Sequence, residues 1–477
     1  MKKLYLIFLW HMHQPLYKNP KSGYYELPWV LLHSLKDYFD MPYYLRKFKK
    51  VKVNFNLTPV LLEQIEDYAE GKAKDRLLEL VLKPRLNKKE KEFLRTLFES
   101  LPEPMINSVE GLKRLKEKGN LEEEDYKDLR VLYLLAWCGS YLRENSEVVK
   151  RLLKKGGNYE KSDRVALLEE IFKHLRGIIP LYKELFEEKR IGLSTTPYYH
   201  PITPILLDAE DVKVSEPYLK LPNIDAVFEE DAREQVALAL EKFQKTFGVK
   251  PKHFWPSEGA LSEKTLKLFL EFGIELTATD ENLLFKSYPQ GNKFKVYNYK
   301  GLKVLFRDRG LSDAISFIYH SWKEEDGVKD FIKNLRNIYE YYDFSPVVSV
   351  ILDGENPWDY YRENGKRFLE LLYQSLEEND WIETLTLDEV SSLETTPLEH
   401  LKAGTWTGSF SKWIGSDEKN QYWEKLAEVK KEVGKSKWLL VAEGSDWFWW
   451  AGELKGVFGE VFEKLFNSFL EVAKDGA

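Results

Sequence analysis

His253-Phe254-Trp255-Pro256-Ser257-Glu258-Gly259 is an apolar run that stops at a proline and leads into an acid. Aromatic residues favour extended backbone, and Pro256 both lacks a donor N–H and biases Trp255 towards extended conformations, so a strand ends there. Glu258 is thereby presented just past a strand end, beside indole and benzyl surface and ahead of a helix-like run. In barrels and doubly wound sheets the loops after strand C-termini carry the chemistry. The plainer reading of the same residues is a helix start, with Ser257 as N-cap and Glu258 favouring the helix dipole.

Working outward, strands alternate with helices. Leu4–Trp10 is apolar on both faces, as in a buried parallel strand, and His11-Met12-His13-Gln14-Pro15 leaves it. Val51–Leu57 is a second strand, and Thr58-Pro59 begins a helix. From about 61 to 190 apolar residues recur three and four apart, which predicts a long helical insertion. Strands follow at Ile191–Thr196, Ile274–Thr279, Phe294–Tyr299, Lys303–Arg307, Val347–Leu352 and Trp381–Leu387, with helices at Asp231–Phe247 and Lys329–Tyr342 between them. Such alternation implies parallel pairing through right-handed crossovers. A (β/α) barrel of eight strands or fewer fits best, and a doubly wound open sheet is the alternative. Residues 1–387 form one expected unit, and 388–477 a mostly helical second one.

The 477 residues carry a net charge of −7 and no long basic tract, which argues against a nucleic-acid partner. Cys138 is the single cysteine, so no intrachain disulfide forms. Charged residues make up 31%, with only four Met beside that one Cys, a mixture that suits high temperature. The start imitates a signal peptide, but its apolar run is short and leads into His-Met-His without a small-residue cleavage site. No stretch approaches a membrane span. The expected location is cytoplasmic, and the oligomeric state stays open.

A second acid, Asp353, follows directly on Val-Val-Ser-Val-Ile-Leu, as apolar a run as any in the chain. Far from Glu258 in sequence, it belongs on the same strand-end rim. Paired carboxyls there permit glycoside hydrolysis, one attacking or activating water and the other protonating the leaving oxygen. Asp353-Gly354-Glu355-Asn356-Pro357 also fits an ordinary turn. Trp358 beyond it offers a face for a sugar ring. His11 and His13 read as donors to sugar hydroxyls, as hydrogen-bonded core histidines, or as ligands of a metal. Arg307 suits bidentate orientation of a carboxylate or a surface ion-pair cluster. Gly-flanked tryptophans at 406 and 413, and Glu443-Gly444-Ser445-Asp446-Trp447-Phe448-Trp449-Trp450, mark further candidates for a cleft lining.

Taken together these segments resemble glycoside hydrolase family 57. Five short regions mark that family, and all have counterparts here in order: His11–Pro15, Ser194–Pro201 (STTPYYHP), Phe254–Glu258 (FWPSE), Asp353–Trp358 (DGENPW), and Trp406–Trp413 with its flanks. The likeness is greatest to the α-amylase and amylopullulanase-like members. It implies a distorted seven-stranded (β/α) barrel followed by a helical domain that closes over the cleft. The implied activity is a retaining attack on α-1,4 or α-1,6 glucosidic bonds of maltooligosaccharides, starch or glycogen, with Glu258 as nucleophile and Asp353 as general acid/base. The accompanying substrate-binding set is His11, His13, His200, Trp255, Arg307, Trp358, Trp406, Trp413 and Asp446. Glu258 should be ionised, aided by Arg307 or His11, and Asp353 should have a raised pKa. No cofactor, calcium or zinc is implied. Other readings are a 4-α-glucanotransferase or branching enzyme of the family, a metal-dependent deacetylase or mannosidase using His11 and His13, and a carbohydrate-binding protein without turnover.

Overall fold

A strand with apolar residues on both faces must be covered on both, and β1 (Leu4–Met12) is covered on both: all but Tyr5 of its residues are buried. The computed structural model describes residues 2–476. Around β1 run β2 (Val53–Leu57), β3 (Ile191–Ser194), β4 (His253–Phe254), β5 (Leu276–Asp280), β6 (Leu302–Arg307) and β7 (Val347–Asp353). β1 pairs in parallel with β2 from Leu9↔Asn54 and with β7 from Tyr5↔Val347 to His11↔Asp353. The remaining neighbours, β2 with β3, β4 with β5, β5 with β6 and β6 with β7, are parallel too. A bridge Thr195↔Phe254 joins β3 to β4, where Trp255 N–H donates to Thr195 O at 3.0 Å. The ring therefore closes on itself, which leaves no free edge among its seven strands and excludes the open doubly wound sheet.

The ring is uneven. β4 is two residues long, and β6 meets β7 through the single pair Ser349↔Arg307. Side chains fill that seam: Arg307 Nε donates to Ile351 O at 2.6 Å, and Ser312 Oγ accepts from Ile351 N at 3.1 Å. The expected strand 381–387 is shorter, Ile382–Thr384, and pairs with the first residues of β1. It leaves the sheet where β2 takes over. At that fork Asn54 Nδ2 donates to both Phe8 O and Leu385 O, and its Oδ1 accepts from Leu387 N at 2.8 Å. Outside β6, Val296–Tyr299 forms an antiparallel hairpin around Lys300-Gly301, and Thr395–Pro397 adds to it.

Helices cover the ring. The stretch between β2 and β3 is the long helical insertion, running from Pro59–Ala69 to Ile178–Glu187. Two helices before β2, Trp29–Ser34 and Asp37–Tyr44, were not legible in sequence. Nearly every residue of both is buried, which erases the amphipathic period, and Pro42 lies inside the second. No helix among the described residues is long and apolar enough to cross a membrane. Helices Asp417–Val433, Lys437–Ala442, Ser445–Trp450 and Gly456–Asp475 end the chain and touch the rim through Gly444↔Pro201.

All strands run the same way, so their C-terminal ends share one rim. Six of them end on a polar residue or one position past it: His11, Asn56, Ser194, Asp280, Arg307 and Asp353. The seventh, β4, is followed by the turn carrying Glu258.

Gly192 in β3 tests how tightly the fork is packed. A Cβ there would stand 2.0 Å from Asn54 Oδ1. Gly192→Ala should lower stability by about 1–3 kcal/mol, the usual cost of overpacking. An unchanged denaturation midpoint would show that the fork is slack.

Candidate active site

Ser257–Gly259 is a tight turn, not a helix start; the following helix, Glu263–Glu271, is capped by Ser262 instead. Within the turn Glu258 has φ +55, a left-handed conformation that non-glycine residues adopt at a cost and that concentrates at functional sites. His200 adopts the same region with φ +62. Neighbours hold the turn: Trp406 N–H donates to Glu258 O at 3.0 Å, and Thr279 Oγ1 donates to Gly259 O at 2.6 Å. The Glu258 carboxyl is likewise anchored, with Oε2 accepting from Trp406 Nε1–H at 2.8 Å.

Asp353 ends β7 opposite His11, and the Gly354 N–H donates to His11 O at 2.8 Å. A Cβ at Gly354 would stand 2.6 Å from the end of the Met12 side chain, which would have to shift to admit it. Asn356 Nδ2 donates to Asp353 Oδ2 at 3.2 Å. Both acids, with His11, His13, Trp406 and Asp446, line one cleft of about 800 Å³. Burial pushes Glu258 up to about 8, and the charges of Asp353 and Asp446 add to that, against the opposing Trp406 hydrogen bond. Burial also raises Asp353. The expectation of a carboxylate eased by Arg307 or His11 fails on geometry. Arg307 is committed to Asp280 Oδ2 at 3.0 Å and to Asp313, and His11 carries no charge.

The histidine protons can be placed by elimination. Asn56 Nδ2 donates to Ser194 Oγ and Thr195 O, which leaves Oδ1 as the acceptor facing His11 Nδ1 at 2.7 Å. His11 is therefore the Nδ1–H tautomer, and its bare Nε2 accepts from His200 Nε2–H at 3.2 Å. His200 Nδ1 is then bare and accepts from Ser445 O–H at 2.7 Å. Neutral rings suit this chain. Burial and the neighbouring imidazole bring His11 down to about 3, and the same causes lower His200. His13 stacks on His200 with ring centres 3.7 Å apart and directs Nε2 at Asp446 Oδ2, 2.8 Å away. His13, His200 and Asp446 have donor atoms within 4.8 Å of one another, the spacing of metal ligands. With the protons in this order, however, both His200 nitrogens are engaged in hydrogen bonds. A second such group, His33, Asp37 and Asp359, already holds the Lys36 ammonium.

Four members of the expected binding set lie elsewhere than at the surface of the cleft. Trp358 is fully buried, its Nε1–H donating to Gly354 O at 2.9 Å and its ring packed on Trp10, so it offers no face to a sugar. Trp413 is also fully buried, against Trp449, with its carbonyl accepting from Trp423 Nε1. Trp255 forms the floor under Trp406, 5.4 Å between ring centres, and is itself inaccessible. His200 stands behind His11 and His13, with Nδ1 4.0 Å from Glu258 Oε1. Arg307 is at the cleft; its guanidinium lies 5.6 Å from the Trp406 ring centre, and its charge acts on Asp353 against the effect of burial.

Sequence reasoning missed Asp280 and Arg309. Asp280 ends β5 fully buried between the two arginines, and Arg309 Nη2 donates to both Asp280 Oδ1 and Trp406 O. Asp280 thus positions the tryptophan that holds Glu258; its signal was an acid directly after the strand expected at Ile274–Thr279. Glu355 was missed too: buried on the cleft wall, it accepts from Gln14 Nε2 at 3.0 Å and is raised to about 8, chiefly by burial.

The sequence model described as Glycosyl hydrolase family 57 matches residues 7–402. No curated protein sequence matches the chain. Among solved structures, a branching enzyme of that family from Thermococcus kodakaraensis superposes with a TM-score of 0.63 at 17% identity, over 99% of this chain and 90% of its own. An α-amylase from Thermotoga maritima gives 0.61 at 12%, over 100% and 93%. A 4-α-glucanotransferase from Thermococcus litoralis gives 0.59 at 17%, over 100% of this chain and 60% of its own. At such identities the structural likeness concerns the fold.

A carboxyl whose folded pKa is raised binds its proton more tightly folded than unfolded. Its destabilising effect grows as pH rises from the unfolded value to the folded one. For Glu258 that window runs from 4.5 to about 8. Glu258→Gln should therefore match wild type in stability near pH 4.5 and exceed it increasingly towards pH 8, read by thermal melts. A variant less stable than wild type at pH 8 would contradict the dominance of burial at this position.

Proposed function

The chain belongs to glycosyl hydrolase family 57, and on that premise we propose that it is a retaining glycoside hydrolase of α-1,4-linked glucans, working through a glycosyl-enzyme intermediate. The supporting observation is the Glu258 turn: a carboxyl in left-handed backbone, gripped by one indole N–H, in a cleft shared with Asp353. In the first step the Asp353 O–H donates its proton to the glycosidic oxygen as Glu258 Oε attacks C1. The C1–O bond breaks and the freed hydroxyl end departs. In the second step the Asp353 carboxylate takes a proton from water, whose oxygen attacks C1, and Glu258 leaves as a carboxylate.

Chemistry needs the Glu258 carboxylate together with protonated Asp353. The two groups feel each other's charge, so they titrate as a pair, and the productive form has the shared proton on Asp353. The Trp406 N–H favours that form by donating to the Glu258 anion. Neutral His11 and His200 add no positive charge that would stabilise the nucleophile too far. His13, Asp446 and Trp406, which face the cleft, are the groups assigned to sugar hydroxyls and ring faces.

Replacing the incoming water by a glucan hydroxyl would turn the same site into a transferase, through the 4-hydroxyl, or a branching enzyme, through the 6-hydroxyl. We take residues 388–477 as the domain that closes over this cleft. We place the enzyme in the cytoplasm, where a free cysteine such as the buried Cys138 stays reduced.

Glu258→Gln and Asp353→Asn should each cut the release of reducing ends from maltooligosaccharides by about 10³-fold or more, with the fold intact by circular dichroism. Either variant keeping more than roughly a tenth of wild-type kcat would be incompatible with the assigned roles.

A further inference from the structure

Beyond the catalytic pair, the mouth of the cleft carries apolar surface that the mechanism does not use. After β6 the chain runs through Arg309–Asp313 into a π-helical turn, Ala314–Ile318, and then the short turn Tyr319–Ser321. Phe317 on that turn is 72% exposed and Ile318 46%, while Tyr360, seven residues past Asp353, is 55% exposed. Phe317 and Tyr360 border the same cleft as Glu258 and Asp353.

These rings are not carried by loose loops. Tyr361 Oη donates to Ile315 O at 2.6 Å, which ties the π-turn to the segment that carries the acid/base. Tyr319, just beyond the turn, is buried against Trp322 and Phe368, and its hydroxyl donates to Asp330 at 2.7 Å. His320 lies 5.9 Å from the Tyr360 ring centre. A π-turn inserts one extra residue into the helical repeat, a distortion found mostly at functional sites, and here the turn presents Phe317 outwards while Ala314, Ile315 and Ser316 before it are buried. Two exposed aromatic rings on rigid supports at the lip of a ligand cleft are binding surface by the ordinary logic of exposed apolar patches. Asp313, Ser316 and Asn356 border the cleft beside them, so apolar faces alternate with hydroxyl partners, as a pyranose requires.

We propose that Phe317 and Tyr360 form an outlying subsite that stacks glucosyl units of a long α-glucan, away from the bond being cleaved. The occupant is the continuation of the chain held at Glu258 and Asp353, because the two surfaces are one continuous cleft. The inference rests on the glucan reading of that site. It makes the enzyme selective for polymers over short maltooligosaccharides.

The test compares wild type with Phe317→Ala/Tyr360→Ala on long soluble amylose and on maltotriose. Both side chains are exposed, so an unchanged thermal midpoint should accompany the exchange. The ratio of kcat/KM on amylose to kcat/KM on maltotriose should fall about tenfold, through KM. An unchanged ratio, whether both values hold or both drop together, overturns the subsite. A calorimetric titration with maltoheptaose separates this from failure of the catalytic reading. If wild type binds the heptasaccharide but turns over no glucan, weaker binding by the double variant upholds the subsite and removes only the hydrolase assignment. If wild type does not bind it, the subsite falls.

Discussion

An ionisable side chain in left-handed backbone at the wall of a cleft does not stay there unaided. Glu258 is in that situation, and two separate parts of the chain hold its turn: β5 through Thr279, and the 406 segment through both N–H groups of Trp406. Trp406 is in turn fixed by Arg309, and Arg309 by the buried Asp280. The Glu258 carboxyl is thus linked to the ends of neighbouring barrel strands by a short chain of charged and aromatic contacts. Removing a link that touches no substrate would still misplace it.

On the other wall the same principle works with neutral groups. A polar residue near the end of β2, Asn56, sets the proton on His11, which sets that on His200, which sets the hydroxyl of Ser445. Each member has one hydrogen-bonding option left once its neighbour is chosen. The result is a rigid, uncharged surface beside two acids, where a cation would have held Glu258 ionised. Burial therefore dominates the electrostatics of the pair, and a single indole N–H is the main force acting against it.

The barrel was legible because its strands are buried on both faces and end abruptly in Pro, Gly or polar residues; β1, β7 and the turn at Pro256 show this most plainly. Glu258 and Asp353 were singled out for the same reason, each standing at such an end. The tryptophans were harder. Trp358 and Trp413, in glycine-containing segments, looked available for sugar, yet both fill core space. Glycine makes room for such a ring: a Cβ at Gly365 would stand 2.3 Å from Trp358. The network through Asp280, Arg309 and Asn56 joins residues distant in sequence by side-chain geometry alone, and no periodicity carries that information. The helices around Trp29–Tyr44 were hidden because total burial leaves no polar face to give a period.

The most direct test of the Glu258 assignment asks which oxygen becomes bonded to sugar. Wild type incubated with a fluorinated maltosyl fluoride, which slows the second step, then digested and examined by mass spectrometry, should yield one modified peptide with the glycosyl group on Glu258. Modification at Asp353, or steady turnover through inverted products with no adduct, would contradict it.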